Sequence, residues 1–173
     1  GLLPEPFLAT VFTLSSHHPY AIPAEYEDVL EPGTIPIHRC VRYSDLSIRR
    51  FFEAARKESW YENTLFVITG DHTNQTDAPE YKTLNGVFTI PILFYTPDGS
   101  LKGLREGIAM QLDIKPTILS FLGYGGPYFS FGCDLLTTAD EDTYAVNYQS
   151  GTFLYYQQGY QLQFDGEKAT ALY

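Results

Sequence analysis

Thr64 to Asn74 reads Thr-Leu-Phe-Val-Ile-Thr-Gly-Asp-His-Thr-Asn, and no other stretch limits the fold as tightly. A continuous apolar run of β-branched and aromatic residues suits a strand covered on both faces, as in a parallel sheet. The run stops at Gly70, and Asp71 and His72 follow at once. Open α/β sheets bind ligands at the carboxyl ends of their strands. A carboxylate and an imidazole at such a point sit where these folds carry their chemistry.

With 173 residues, 44% apolar and 18% charged, the chain can form one ordinary globular domain with a sizeable core. Its net charge of -10 argues against sequence-independent nucleic-acid binding, which needs a basic footprint. An anionic substrate stays compatible with that charge, because a bound divalent cation inverts the local field. Cys40 and Cys133 can pair in an oxidising compartment or remain two thiols, and their spacing does not decide between these. No apolar run approaches the roughly 18–20 residues of a membrane span, and no signal-peptide pattern opens the chain. The only methionine is Met110, and the chain opens almost directly into a strand candidate. The expectation is a piece of a longer protein, with an active site divided between this piece and another.

Phe7 to Ser15 is a first strand candidate of the buried type, ended by Ser16-His17-His18-Pro19-Tyr20. If it lies parallel to the Thr64 strand, His17, His18, Asp71 and His72 can meet. The proline-rich stretch Ala21 to Pro36 reads as a surface excursion. A helix is expected from about His38 to Ser59, with Val41, Ile48, Phe51, Phe52 and Ala55 on its apolar face. Strand, helix and strand in that order make a parallel crossover unit. After the long polar loop Thr73–Gly86 comes a third strand candidate, Val87 to Tyr95, in which Pro91 suggests an edge position or a bulge. Gly107–Leu112 is a short strand candidate. Asp113 to Gly123 is a short helix, with Asp113 as N-cap and Gly123 as its stop. Tyr124–Gly132 is a loop. Tyr144–Gln149, Gly151–Gln157 and Tyr160–Phe164 form antiparallel meander strands with Gly-containing turns, and the final residues look like a further strand.

Taken alone, Asp71-His72 is either a strand end with a capping Asp and a surface His, or a carboxylate and imidazole suited to Zn²⁺ or Mn²⁺. Ser16-His17-His18-Pro19 is either a turn with two exposed imidazoles or a hydrogen-bond donor and proton source for a phosphate or sulfate ester. His38 has no evident partner and reads as structural, as does Tyr43-Ser44-Asp45. There is no phosphate-binding glycine loop, no Gly-x-Ser-x-Gly elbow and no zinc-ribbon spacing.

Thr69-Gly70-Asp71-His72, Ser16-His17-His18-Pro19-Tyr20, Arg42-Tyr43-Ser44-Asp45, Asp113-Ile114-Lys115-Pro116-Thr117-Ile118-Leu119, Gly123 and Phe131-Gly132-Cys133-Asp134-Leu135-Leu136 occur in this order. Together they resemble the sulfatase family of the alkaline phosphatase superfamily, closest to its lipoteichoic-acid-synthase and phosphoglycerol or phosphoethanolamine transferase branch. The resemblance implies an α/β fold with a parallel-rich sheet and crossover helices over residues 1–136, and a small antiparallel β region over 137–173. It implies Asp71 and His72 as ligands of one divalent ion (Mn, Zn, Mg or Ca), weakly held where only two ligands are supplied. It implies His17 as the catalytic and substrate-contacting histidine, with His18 at a variable position beside it. The family's nucleophile and further acidic ligand belong upstream, so this chain alone is expected to be inactive. Neither cysteine has the Cys-x-Pro-Ser-Arg setting of formylglycine formation. The expected substrate is an anionic sulfate or phosphate ester. The expected location is extracytoplasmic, with any membrane anchor preceding Gly1. The competing expectation is a catalytically inactive domain whose Tyr-rich end binds a glycan or a protein.

Overall fold

The longest regular element is a helix of 19 residues, α1 (Ile37–Ala55), in the computed structural model, which describes residues 3–173. The structure falls into two units, Gly1–Lys102 and Gly103–Tyr173.

In the first unit α1 ends before the expected Ser59, because Arg56, Lys57 and Glu58 turn their N–H groups back to Phe52, Ala54 and Ala55. A 3-10 turn, Tyr61–Asn63, then leads into β1 (Phe66–Thr69). β1 pairs with β2 (Ile92–Tyr95), Phe66 lying opposite Tyr95 and Thr69 opposite Ile92. Their ladder is antiparallel, so the expected parallel crossover is not formed among the described residues. Phe7–Ser15 enters no ladder either, and Leu8 is 87% exposed. A strand draws its stability from cross-strand neighbours, and sequence alone supplies this segment with none. The third strand is shortened to Ile92–Tyr95, because Gly86–Phe88 winds into a 3-10 turn and Pro91 has no N–H to donate.

A ribbon of two strands can cover only a narrow stripe of a helix. Phe52 and Ala55 of α1 pack into the core with Tyr61, Phe66, Trp60 and Tyr95, while Val41, Ile48 and Phe51 remain exposed. Phe66 is the centre, its ring 5.0 Å from Phe52 and 5.5 Å from Tyr61. The Tyr61 and Tyr95 hydroxyls meet at 2.9 Å. That bond holds the Tyr61 hydroxyl below its usual range and pushes Tyr95 above it.

In the second unit no strand forms over Gly107–Leu112; a 3-10 turn, Gln111–Asp113, runs into α2 (Ile114–Phe121). Asp113 precedes the helix as expected, yet its carboxylate does not cap it. The two oxygens accept the backbone N–H groups of Met110 and Cys133, each at 2.8 Å. Thr117 continues the knot, donating to Asp113 O and accepting from Leu135 N–H. Gly123, at φ 68°, ends the helix in the left-handed region that glycine tolerates best.

β3 (Tyr144–Gln149), β4 (Thr152–Gln157), β5 (Tyr160–Phe164) and β6 (Ala169–Leu172) then form an antiparallel meander in that order. Ser150-Gly151 and Gln158-Gly159 all have positive φ, the geometry of two-residue hairpins whose twist matches their strands. Ala145, Leu154 and Gln161 are buried on one face, while Val146, Tyr148 and Phe153 are exposed on the other. Cys40 and Cys133 are free thiols. Among the described residues no helix is long and apolar enough to cross a membrane.

Candidate functional site

Asp71 and His72 emerge where β1 runs out at Gly70, on the loop that returns towards β2. The His72 N–H donates to Asp71 Oδ1 at 2.8 Å, which holds the carboxylate beside the ring. His72 Nδ1 lies 2.8 Å from Thr73 O. A carbonyl oxygen only accepts, so Nδ1 carries the proton and the lone pair of the neutral ring is on Nε2. That Nε2 stands 3.4 Å from Asp71 Oδ2.

Two acceptors facing each other at this distance attract a cation between them. A tetrahedral ion with bonds of about 2.0–2.2 Å separates its ligand atoms by roughly 3.3–3.6 Å. The imidazole held through its other nitrogen on a carbonyl is also the usual arrangement of a metal-binding histidine. The pair therefore fits a divalent ion, and both side chains are more than half exposed. No group of three or more His, Cys, Asp or Glu side chains placed to hold an ion occurs among the described residues.

His17 and His18 sit on an exposed turn closed by His17 N–H to Leu14 O and Tyr20 N–H to His17 O. His17 Nδ1 donates to His18 O at 2.9 Å, so its Nε2 likewise faces outward chemistry in the neutral ring. The His18 ring packs edge-on against Tyr20, 5.7 Å between centroids. The Cys40 thiol donates to Tyr20 O and ties this turn to the first turn of α1, while burial pushes that thiol's pKa up.

His38, which sequence leaves without a partner, turns out to be part of a clamp. The Thr34 N–H donates to its Nδ1 at 3.2 Å, so Nε2 carries the proton and faces Asp77 Oδ1 at 3.6 Å. The Thr34 hydroxyl donates to Asp77 Oδ2. That hydrogen bond, with one from the Asp77 backbone N–H and the nearby Lys82 charge, holds the Asp77 carboxyl below its usual range. The clamp joins the start of α1 to the loop after His72. Only the Thr34–His38 spacing could have hinted at it, since Asp77 lies 43 residues from Thr34. Between these segments opens a cleft of about 530 Å³, bordered by Ile35, Pro36, Thr73, Asn74, Tyr81 and Lys82.

The sequence model of the family described as Sulfatase matches residues 2–124. Lipoteichoic acid synthase 1 of Bacillus subtilis (strain 168) is 24% identical over 172 residues, covering 88% of this chain and 26% of its own length. The lipoteichoic acid synthase of Staphylococcus saprophyticus is 26% identical over 167 residues, 87% of this chain and 26% of its own length. The chain thus spans about a quarter of the length of these relatives. A crystal structure of a protein in the alkaline phosphatase superfamily from Vibrio parahaemolyticus superposes with a TM-score of 0.69 at 28% identity. That superposition covers 92% of this chain and 39% of the other.

Proposed function

The chain belongs to the sulfatase family, with the α/β fold of the alkaline phosphatase superfamily, and from that premise we propose that it supplies part of the centre of a metal-dependent enzyme that hydrolyses or transfers sulfate or phosphate ester groups. Asp71 and His72 would hold one divalent ion. His17 is the residue proposed to meet the ester, and His18 flanks it. We assign no nucleophile to this chain. Within the family, the lipoteichoic-acid-synthase-like relatives favour a phosphoglycerol-type transfer, acting outside the cytoplasm.

The observation that carries the reading is the 3.4 Å separation of His72 Nε2 and Asp71 Oδ2, with Nδ1 committed to Thr73 O. A divalent ion bound there supplies charge neutralisation for the transferred group and a lowered pKa for an attacking oxygen. Thr73 O keeps the His72 ring in the tautomer that presents Nε2. Asp71 contributes negative charge that its bond from the His72 N–H keeps oriented. His17, with Nδ1 anchored on His18 O, can present a proton from Nε2 to a departing alkoxide when the ring is charged.

Replacing Asp71 by Asn in the protein is expected to lower bound Mn or Zn, read by elemental analysis, together with ester-cleaving activity. Unchanged metal content in Asp71→Asn would falsify the ligand assignment. His17→Ala is expected to keep the metal while activity drops by about 10²–10⁴-fold, the range of general acid–base catalysis. One observation favours a second reading as a glycan- or protein-binding module. The open face of the meander is an aromatic row, with Tyr148 and Phe153 rings 4.9 Å apart and Phe164 6.3 Å further on. Retention of metal and activity in a Tyr148→Ala, Phe153→Ala protein that loses glycan binding would assign the two properties to separate surfaces.

A further inference from the structure

A second cleft of the first unit, about 370 Å³, runs beside the turn that carries His17 and His18. Its volume lies in the roughly 300–1,000 Å³ range of small-molecule sites. Pro19, Tyr20, Gly33 and Thr34 line it, together with Arg39 of α1. The Nε of Arg39 is buried and has no hydrogen-bond partner. Three other guanidinium groups of this unit are engaged, Arg42 with Glu31, Arg50 with the Tyr26 hydroxyl and Arg56 with the Tyr61 hydroxyl, while Arg49 is exposed to water. A guanidinium N–H shielded from water without an acceptor is costly, so its presence beside a cleft calls for an acceptor that enters from outside.

The surroundings favour an anion. Arg39 lies in the first turn of α1, which has no side-chain cap and no acidic residue. The positive pole of a helix normally attracts acids there, yet this turn carries His38 and Arg39 instead. An entering oxyanion would answer both the helix pole and the guanidinium. The rest of the cleft is neutral except for Glu27, the one carboxylate on its wall.

We propose that Arg39 binds a tetrahedral oxyanion in this cleft and is a positioning residue for an acidic group of the substrate. Its place in catalysis rests on the function proposed above, whereas the anion binding itself does not. Planar, always charged and presenting several N–H donors, a guanidinium suits phosphate and sulfate better than an ammonium would. Glu27 limits affinity by repulsion and disfavours simple inorganic anions of weak charge.

The test is a titration of the metal-free protein with inorganic phosphate, and separately with inorganic sulfate, at constant ionic strength and with chloride as reference. The Arg39 Nε–H resonance is followed by NMR. Saturable movement with phosphate, sulfate or both is expected, and which of them saturates assigns the ester class. Arg39→Gln should weaken binding by about tenfold or more, the worth of one charge-assisted hydrogen bond. Glu27→Gln should tighten it severalfold. An equal response to chloride, or an affinity in Arg39→Gln within about twofold of the parent, overturns the proposal. So does a shift of the Arg39 resonance on Glu27→Gln before any anion is added, because Glu27 would then be its partner. If Arg39→Gln does not fold, the parent titration and Glu27→Gln still decide. Asp71→Asn should leave phosphate binding by metal-free protein within about twofold of the parent, so failure of the metal reading and failure of the anion site are separable.

Discussion

In the unit ending at Lys102 the core is aromatic carbon gathered around Phe66, whereas in the unit beginning at Gly103 the most deeply buried side chains include Asp113, Thr117 and Thr143. The first unit brings together residues far apart in the chain, helix against ribbon, and leaves long irregular connections. The second is joined by hairpins between neighbours and by one buried carboxylate that satisfies a nearby N–H, of Met110, and a distant one, of Cys133. The contrast teaches where a site can be placed. Loops tethered by a few bonds, such as Thr34–Asp77, leave His17, Asp71 and His72 exposed to water. A hydrogen-bonded meander leaves no such freedom.

Phe66→Ala should give the largest effect, about 3–5 kcal/mol in chemical denaturation, because the ring touches most of the aromatic core. Amide exchange should rise through α1 and β1 while the meander keeps its protection; equal loss in both units would break the comparison. Asp113→Ala comes next, at about 2–4 kcal/mol, since it strands two partly buried N–H groups. Here the exchange should rise in α2 and around Cys133, and a change confined to the first unit would count against the knot. Gly123→Ala should cost about 1 kcal/mol, the penalty of a left-handed φ alone, because nothing lies within 4 Å of the added methyl. A loss well above that would mean a packing role as well.

The smallest effect is a pH dependence. Burial pushes the Asp134 carboxyl up, but hydrogen bonds from Ser120, Thr137 and Leu136 and the charge of Arg105 outweigh it and hold the pKa below the usual range. A depressed carboxyl contributes stability that is whole above its unfolded value of about 3.9 and is lost as pH falls through the lower folded value. Asp134→Asn should therefore flatten the acid limb of the stability curve below about pH 4. An unchanged limb would show that Asp134 contributes nothing to it.

Legibility followed the range of the interactions. The three hairpin strands and the Gly123 stop were readable because each depends on residues only a few positions apart. The Asp71-His72 pair was readable for the same reason, its geometry being set by one residue and the next. Phe7–Ser15 was misread, since its strand-like composition says nothing about an edge to pair with. The apolar face of α1 was only half right: Phe52 and Ala55 are covered, Val41 and Ile48 are not. Asp113 was placed correctly at the start of α2, but its acceptors' role for Cys133 could not be foreseen from twenty residues away.

Sequence alone determined the local grammar of this protein: where helices stop, where the meander turns, and which carboxylate and imidazole stand side by side after β1. Those outcomes depend on φ preferences and neighbouring hydrogen bonds, which the chain carries with it. Tertiary structure alone decided the pairing of β1 with β2, the meeting of Thr34 and His38 with Asp77, and the unpartnered Nε–H of Arg39 beside its cleft. These depend on which groups lose water together, and that is settled only when distant segments close on one another.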